Sequence, residues 1–264
     1  MSTQTVHSLF QAAAAEGTIS PATAQAIQIP DIGAEIQQGL GLAVDDVESS
    51  EVTLVAFLMD DSGSISSIPN GPGLVCEGHN LVLASMAGSK QAESILAHCR
   101  YLNGTVLYAF DQIGRVQRMD SNNYAATGGT PLYDQTAVVL ATMLAKVQEF
   151  VASGVPARGI TIIVTDGRDC HSHRFTARKV ANLVRDMVKS ERHIIAAMGI
   201  DDGGSTSFRE VFREMGLEDR WILTPGNNPT EIRQAFAMVS QSAVRASQSA
   251  GSFSRAATGG FGAP

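Results

Sequence analysis

Three stretches of this chain are largely apolar with no polar alternation: Val52 to Met59, Gly159 to Thr165 and His193 to Ile200. A strand with one wet face alternates apolar and polar residues. A run that stays apolar is buried on both faces, as in a parallel sheet covered by helices. Helical stretches separate the runs: Leu74 to Met86, Leu132 to about Val151, and Phe175 to Lys189. In the second, Leu132, Val139, Leu140, Met143, Leu144, Val147 and Phe150 share one face. Strands alternating with helices imply right-handed crossovers and a doubly wound, mostly parallel α/β sheet. One antiparallel edge is expected, because Asn103-Gly104 joins the strand-like runs Ser94 to Leu102 and Thr105 to Phe110, a strong hairpin signal.

The flanks differ from this middle. Residues 1–50 carry helix signals and no strand: Ser8 to Ala15, a helix opened by Ser20-Pro21, and Asp31 to Leu40. They are expected to pack on the main domain, 51–247, or to serve as a docking arm. After Phe175 to Lys189 come the strand His193 to Ile200, a short helix capped by Ser207, a short strand Arg220 to Leu223 with Trp221 in the core, and a helix opened by Asn228-Pro229. Residues 248–264 are rich in Ser, Gly and Ala, the composition of a flexible tail.

The 264 residues are 44% hydrophobic and 17% charged, enough for a full core, and their net charge is −7. No basic stripe is present, which argues against a nucleic-acid partner. The amino-terminal residues have neither the basic start nor the apolar core of a signal peptide, and no window approaches the roughly 20 apolar residues of a membrane span. With three cysteines, Cys76, Cys99 and Cys170, in no framework spacing, a reduced cytoplasmic protein is expected.

The chemistry is concentrated at strand ends. Val52 to Met59 runs into Asp60-Asp61-Ser62-Gly63-Ser64, and Gly159 to Thr165 runs into Asp166-Gly167. A Gly-rich loop, Thr127 to Pro131, opens the long helix and contains Thr130. In a doubly wound sheet these loops meet at the carboxyl edge. Two carboxylates and three hydroxyls there suit a hard divalent cation and leave a position open.

These residues resemble the von Willebrand factor type A (vWA) domain. The likeness lies in Asp60-x-Ser62-x-Ser64, Thr130 within Gly-Gly-Thr-Pro-Leu, and Asp166 within Val-Thr-Asp-Gly, and it covers roughly Glu51 to Ser247. All five positions of that family's metal-ion-dependent adhesion site carry the expected residue types in order. The resemblance implies six strands and a Mg²⁺ ion (or Mn²⁺ or Ca²⁺) held directly by Ser62 and Ser64. Thr130 would bind directly or through water, and Asp60 and Asp166 mainly through water. It implies a last ligand from an acidic side chain of a partner protein. It also implies a bacterial-type adaptor or assembly role, in some members beside an AAA+ ATPase. Asp61, Gly129, Tyr133, Arg168 and His171 become candidates for touching the partner.

Other signals stay open at this stage. Ile65 to Gly73 is a longer, more Pro/Gly-rich loop than usual, either partner rim or plain surface. Arg168 and Asp169 either meet a partner or cap the next helix. Cys76, His79, Cys170 and His173 have residue types that hold zinc, in a spacing that fits no common finger. Tyr124 and Tyr133 flank the Gly-Gly-Thr loop, and Asp201 to Gly204 reads as an acidic turn. No catalysis is expected: no nucleophile elbow or phosphate loop occurs, Ser62 stands where a phosphatase-type site needs a second aspartate, and no base is placed beside the ion. The alternatives are a metal-dependent hydrolase on this scaffold and a structural protein that self-assembles through its terminal segments.

Overall fold

The computed structural model describes residues 3–28, 30–201, 203–248 and 260–261. Six strands form one sheet: β1 (Val52–Met59), β2 (Ile95–Tyr101), β3 (Val106–Gln112), β4 (Ala157–Thr165), β5 (His193–Gly199) and β6 (Ile222–Leu223). Their order is β3-β2-β1-β4-β5-β6. Only β3 is antiparallel, paired with β2 across the Asn103-Gly104 turn, where Gly104 takes φ +91°. Strand β1 alternates between two cores: Leu54, Ala56 and Leu58 face one side, and Val55, Phe57 and Met59 the other.

Helices cover both faces. On the Phe57 side lie α4 (Gly71–Ala87) and α8 (Pro229–Gln248). On the Leu54 side lie α5 (Leu132–Ala152), α6 (Ala177–Lys189), α7 (Phe208–Glu214) and the amino-terminal helices α1 (Thr3–Ala15), α2 (Pro21–Ile27) and α3 (Pro30–Leu40). The first three helices belong to the core: Val6, Phe10, Ile32 and Ile36 are fully buried. Ser20 caps α2 by accepting the Thr23 N–H, and its own N–H donates to Asp186 of α6 at 2.8 Å.

Helix α5 differs most from its sequence reading. One apolar face was expected; instead nearly every residue from Leu132 to Gln148 is buried. The helix is sandwiched between the sheet and α1 and α3, so its outer face is dry too. That face carries polar residues that find partners in the amino-terminal segment. Lys146 donates to the Leu42 carbonyl and to Glu149, and Gln148 donates to Glu16 at 3.0 Å. Burial lowers the Lys146 pKa, and Glu149 opposes that shift.

Smaller differences have local causes. Helix α4 starts at Gly71-Pro72 rather than Leu74, since proline is tolerated in a first turn and a Cβ at residue 71 would overlap the Ile65 carbonyl. Residues 63–67 form a 3₁₀ turn that starts in the Asp60–Ser64 stretch and runs into the expected loop. Gly78, a poor helix former, is required because a Cβ there would overlap the Phe236 ring of α8. The strand expected over Arg220 to Leu223 is only Ile222–Leu223, because Asp219–Trp221 winds into a 3₁₀ turn that buries Trp221. Ser207 precedes α7 without a side-chain cap. Asp201 Oδ1 accepts the Gly203 N–H at 2.8 Å, closing the acidic turn; Asp202 lies outside the described residues. So does most of the expected tail over 248–264. At its described point Phe261 packs edge-on against Trp221, with centroids 5.5 Å apart.

Candidate metal centre

Strands β1 and β4 are neighbours at the middle of the sheet, and the chain leaves them toward opposite faces, into α4 and α6. A cleft opens at such a reversal. The ladder extends one residue past β1, since the Asp60 N–H donates to the Val164 carbonyl at 2.9 Å, and this sets Asp60 beside Thr165. Asp60 is then locked. Its Oδ1 accepts the Ser62 N–H at 2.7 Å, and its Oδ2 accepts the Thr165 hydroxyl at 2.5 Å and the Asp166 N–H at 3.3 Å. The buried Tyr124 hydroxyl donates to the Asp60 carbonyl, and its ring packs on Tyr101, so Tyr124 supports the site from below.

Ser62, Ser64 and Asp166 converge. The two serine hydroxyls are 2.9 Å apart, and Asp166 Oδ1 accepts from Ser64 at 2.8 Å and from Ser62 at 3.4 Å. The third loop is stitched to the first: Gly128 N–H donates to the Asp61 carbonyl at 2.8 Å, and Gly63 N–H donates to the Gly128 carbonyl at 3.1 Å. Thr130 follows, its hydroxyl against Gly167; a Cβ on residue 167 would lie 3.3 Å from Thr130 Oγ1. Asp60, Ser62, Thr130 and Asp166 are buried and Ser64 is exposed, so the cluster opens to solvent at Ser64.

The donor set fits a small divalent ion. At about 2.1 Å from a six-coordinate Mg²⁺, neighbouring oxygens lie about 3 Å apart, whereas the longer Ca²⁺ bonds spread them further. The Ser62–Ser64–Asp166 triangle has edges of 2.9, 2.8 and 3.4 Å. Charge points the same way. Burial first, and then the adjacent Asp60 carboxylate, push Asp166 up to about 7. Burial pushes Asp61 up to about 6, with Asp60 adding to it, and no cationic side chain is among the leading causes of either shift.

A pH dependence follows. The folded pKa of Asp166 lies above its unfolded value, so the folded state binds more protons between pH ~4 and ~7. Its contribution to stability is therefore largest in acid and falls as pH rises through that window. In chelator, urea unfolding at pH 5 and pH 8 is expected to differ by roughly 2 kcal/mol from this group, after allowance for solvent at the mouth. Mg²⁺ or Mn²⁺ should restore the loss at pH 8.

The candidate partner residues separate. Arg168 and His171 are exposed at the rim. Gly129 is half-buried beneath the His171 ring. Tyr133 is half-buried in the first turn of α5. Asp61 is 1% exposed, so it is no contact surface; its Oδ1 accepts the Asn103 N–H at 3.0 Å and anchors the β2–β3 turn. The zinc reading also fails. His79 is buried against Phe57 and bonded to the Tyr108 hydroxyl at 2.8 Å, while Cys170 and His173 lie exposed in the loop after β4. No group of three or more His, Cys, Asp or Glu side chains is poised for a metal among the described residues.

Sequence reasoning missed what that loop does. Asp169 caps a helix, but it is α5 rather than the following α6: its Oδ1 accepts the Tyr133 N–H at 3.1 Å. Ser172 Oγ accepts the Asp134 N–H at 2.9 Å. The Asp134 carboxylate in turn accepts the N–H groups of His173, Arg174 and Phe175. The sole hint in the sequence is a cluster of short polar side chains, Asp169, Ser172 and Asp134, of the kind that bonds to backbone.

Among the described residues no helix is long and apolar enough to cross a membrane. No family model and no curated protein matches the sequence. Solved structures do match. The pilus adhesin SpaC from Lactobacillus rhamnosus GG, in its open conformation, aligns with TM-score 0.54 and 13% identity over 75% of this chain and 31% of its own. Proximal thread matrix protein 1 of the mussel byssus aligns with TM-score 0.51 and 14% identity over 72% of this chain and 47% of its own. The chain thus spans less than half the length of either protein. At these identities the likeness establishes the fold alone, and that fold is the doubly wound, mostly parallel sheet of the von Willebrand factor A type.

Proposed function

We propose that this chain is a metal-dependent protein-interaction domain. Ser62 and Ser64 hold a Mg²⁺ or Mn²⁺ ion, with Thr130 beside them and Asp60 and Asp166 supplying charge. The ion's open position, at the exposed Ser64 side, takes a carboxylate from a partner protein. The observation that carries this reading is the oxygen triangle drawn from two loops, set beside the neighbouring Asp60 and Asp166 carboxylates, whose burial and mutual repulsion raise the Asp166 pKa. The metal supplies a positive centre; the protein supplies the hydroxyls and the rim, where Arg168 and the exposed edge of the His171 ring face the partner.

We read no catalysis here. The Asp60 carboxylate is engaged by three donors of its own chain, which makes it a structural anchor rather than a general base. Self-assembly through the amino-terminal helices is disfavoured too, because their apolar faces are already used in the core.

The test is a Mn²⁺ titration of the full chain by calorimetry, followed by capture of partner proteins in Mg²⁺ and release by EDTA. The expected result is saturable metal binding and a chelator-reversible complex. A silent metal titration overturns the reading.

A further inference from the structure

We propose that the loop after β4 is a clasp that sets Thr130 for the ion, and that Arg174 and Glu35 make helix α3 part of that clasp. This rests on the metal-site reading above and concerns what positions its third loop.

Helix α5 begins after Pro131, which has no side chain to cap it, and no cap comes from its own segment. The donors at its start are met from the loop after β4 instead. Thr130 N–H donates to His171 Nδ1 at 2.9 Å, Tyr133 N–H to Asp169 at 3.1 Å, and Asp134 N–H to Ser172 at 2.9 Å. The Thr130 carbonyl accepts the Cys170 N–H at 3.1 Å. Both backbone polar groups of Thr130 are thus held by residues 170 and 171, and only its hydroxyl is left for the site. The His171 ring also lies flat enough on the loop that a Cβ at Gly129 would sit 2.9 Å from Nδ1. His171 is a positioning residue: it touches Thr130, not the ion.

The clasp is anchored. Arg174, three residues on from His171, pairs with Glu35 of α3 and lies 3.5 Å from Asp134 Oδ2. Gln135 Nε2 donates to the same Glu35 carboxylate at 3.2 Å. Glu35 therefore ties the loop and the start of α5 to one amino-terminal helix. The chain of contacts runs from α3 through Arg174 and Asp134 to the loop that carries Thr130.

The experiment titrates the full chain and three variants with Mn²⁺, with circular dichroism to confirm folding and urea unfolding to measure stability. His171→Ala is expected to weaken Mn²⁺ binding about tenfold, the scale on which outer partners of metal ligands act. His171→Asn places an amide oxygen near the position of Nδ1 and is expected to stay within about threefold of wild type. Glu35→Gln, remote from the ion, is expected to weaken binding by about threefold or more. A purely structural role would lower the unfolding midpoint of these variants and leave the affinity of the folded protein unchanged; that result overturns the clasp. Unchanged affinity in folded Glu35→Gln overturns it as well, and that variant decides if His171→Ala does not fold. Wild type without Mn²⁺ binding defeats the metal reading itself, an outcome distinct from both.

Discussion

Asp166→Asn is expected to raise the stability of the metal-free protein at pH 8 by about 1–2 kcal/mol and, in the same molecule, to lower Mn²⁺ affinity by about a hundredfold or more. The two effects have one cause. Without an ion, the Asp166 carboxylate is buried beside Asp60, and both burial and that neighbour oppose its ionisation. Asparagine keeps an acceptor for the Ser64 hydroxyl at Oδ1 and removes the charge. With an ion present, the missing charge is what the site lacks. Asp60→Ala is a less clean substitution. It is also expected to remove metal binding, but it strands donors on Ser62, Thr165 and Asp166. Leaving such groups unsatisfied costs roughly 1–3 kcal/mol each, so that variant mixes lost affinity with lost fold. Urea unfolding in EDTA and calorimetry with Mn²⁺ measure the two effects of Asp166→Asn separately. A less stable metal-free variant would mean that Asp166 and Asp60 do not strain each other. Unchanged affinity would remove Asp166 from the site.

The amino-acid sequence made the sheet, and the meeting of the loops that carry the five candidate residues, readable because both depend on local signals. Apolar runs mark strands buried on two faces, and Asn103-Gly104 marks the hairpin. Asp60, Ser62, Ser64, Thr130 and Asp166 stand at the ends of elements, and the topology alone brings those ends together. What escaped depends on pairings across long stretches of chain. Nothing near Pro131 says that residues 169 to 172 will cap α5. Asp61 looks like added charge beside an ion until the β2–β3 turn is seen to donate to it. His79 looks like half of a metal pair until α4 places it over Phe57. Helical periodicity shows where a first apolar face lies. It cannot show that Thr142, Lys146 and Gln148, on the other side of α5, meet a second layer of helices.

That second layer gives the other large effect: removal of residues 1–47 is expected to abolish cooperative folding of the rest of the chain. The segment reads as a helical extension that packs on the main domain or serves as a docking arm; it does more than pack, supplying Val6, Phe10, Ile27, Ile32 and Ile36 to the core shared by β1, α5 and α6. Fully burying one such side chain contributes about 1.5–3 kcal/mol, so losing five of them matches or exceeds the 5–15 kcal/mol of a typical domain. The polar cost adds to the apolar one. Lys146 would lose the Leu42 carbonyl, Gln148 would lose Glu16, and Arg174 would lose Glu35. A single substitution samples the same effect: Phe10, fully buried, is expected to cost about 3–5 kcal/mol as alanine. Circular dichroism and urea unfolding of residues 48–264 decide the matter. A sharp transition near that of the full chain would mean that the outer face of α5 tolerates water and that the first three helices are an accessory after all. A sloping, non-cooperative curve or insolubility is the expected outcome. It would make residues 1–47 part of the folding unit that holds the loops of the proposed metal site in place.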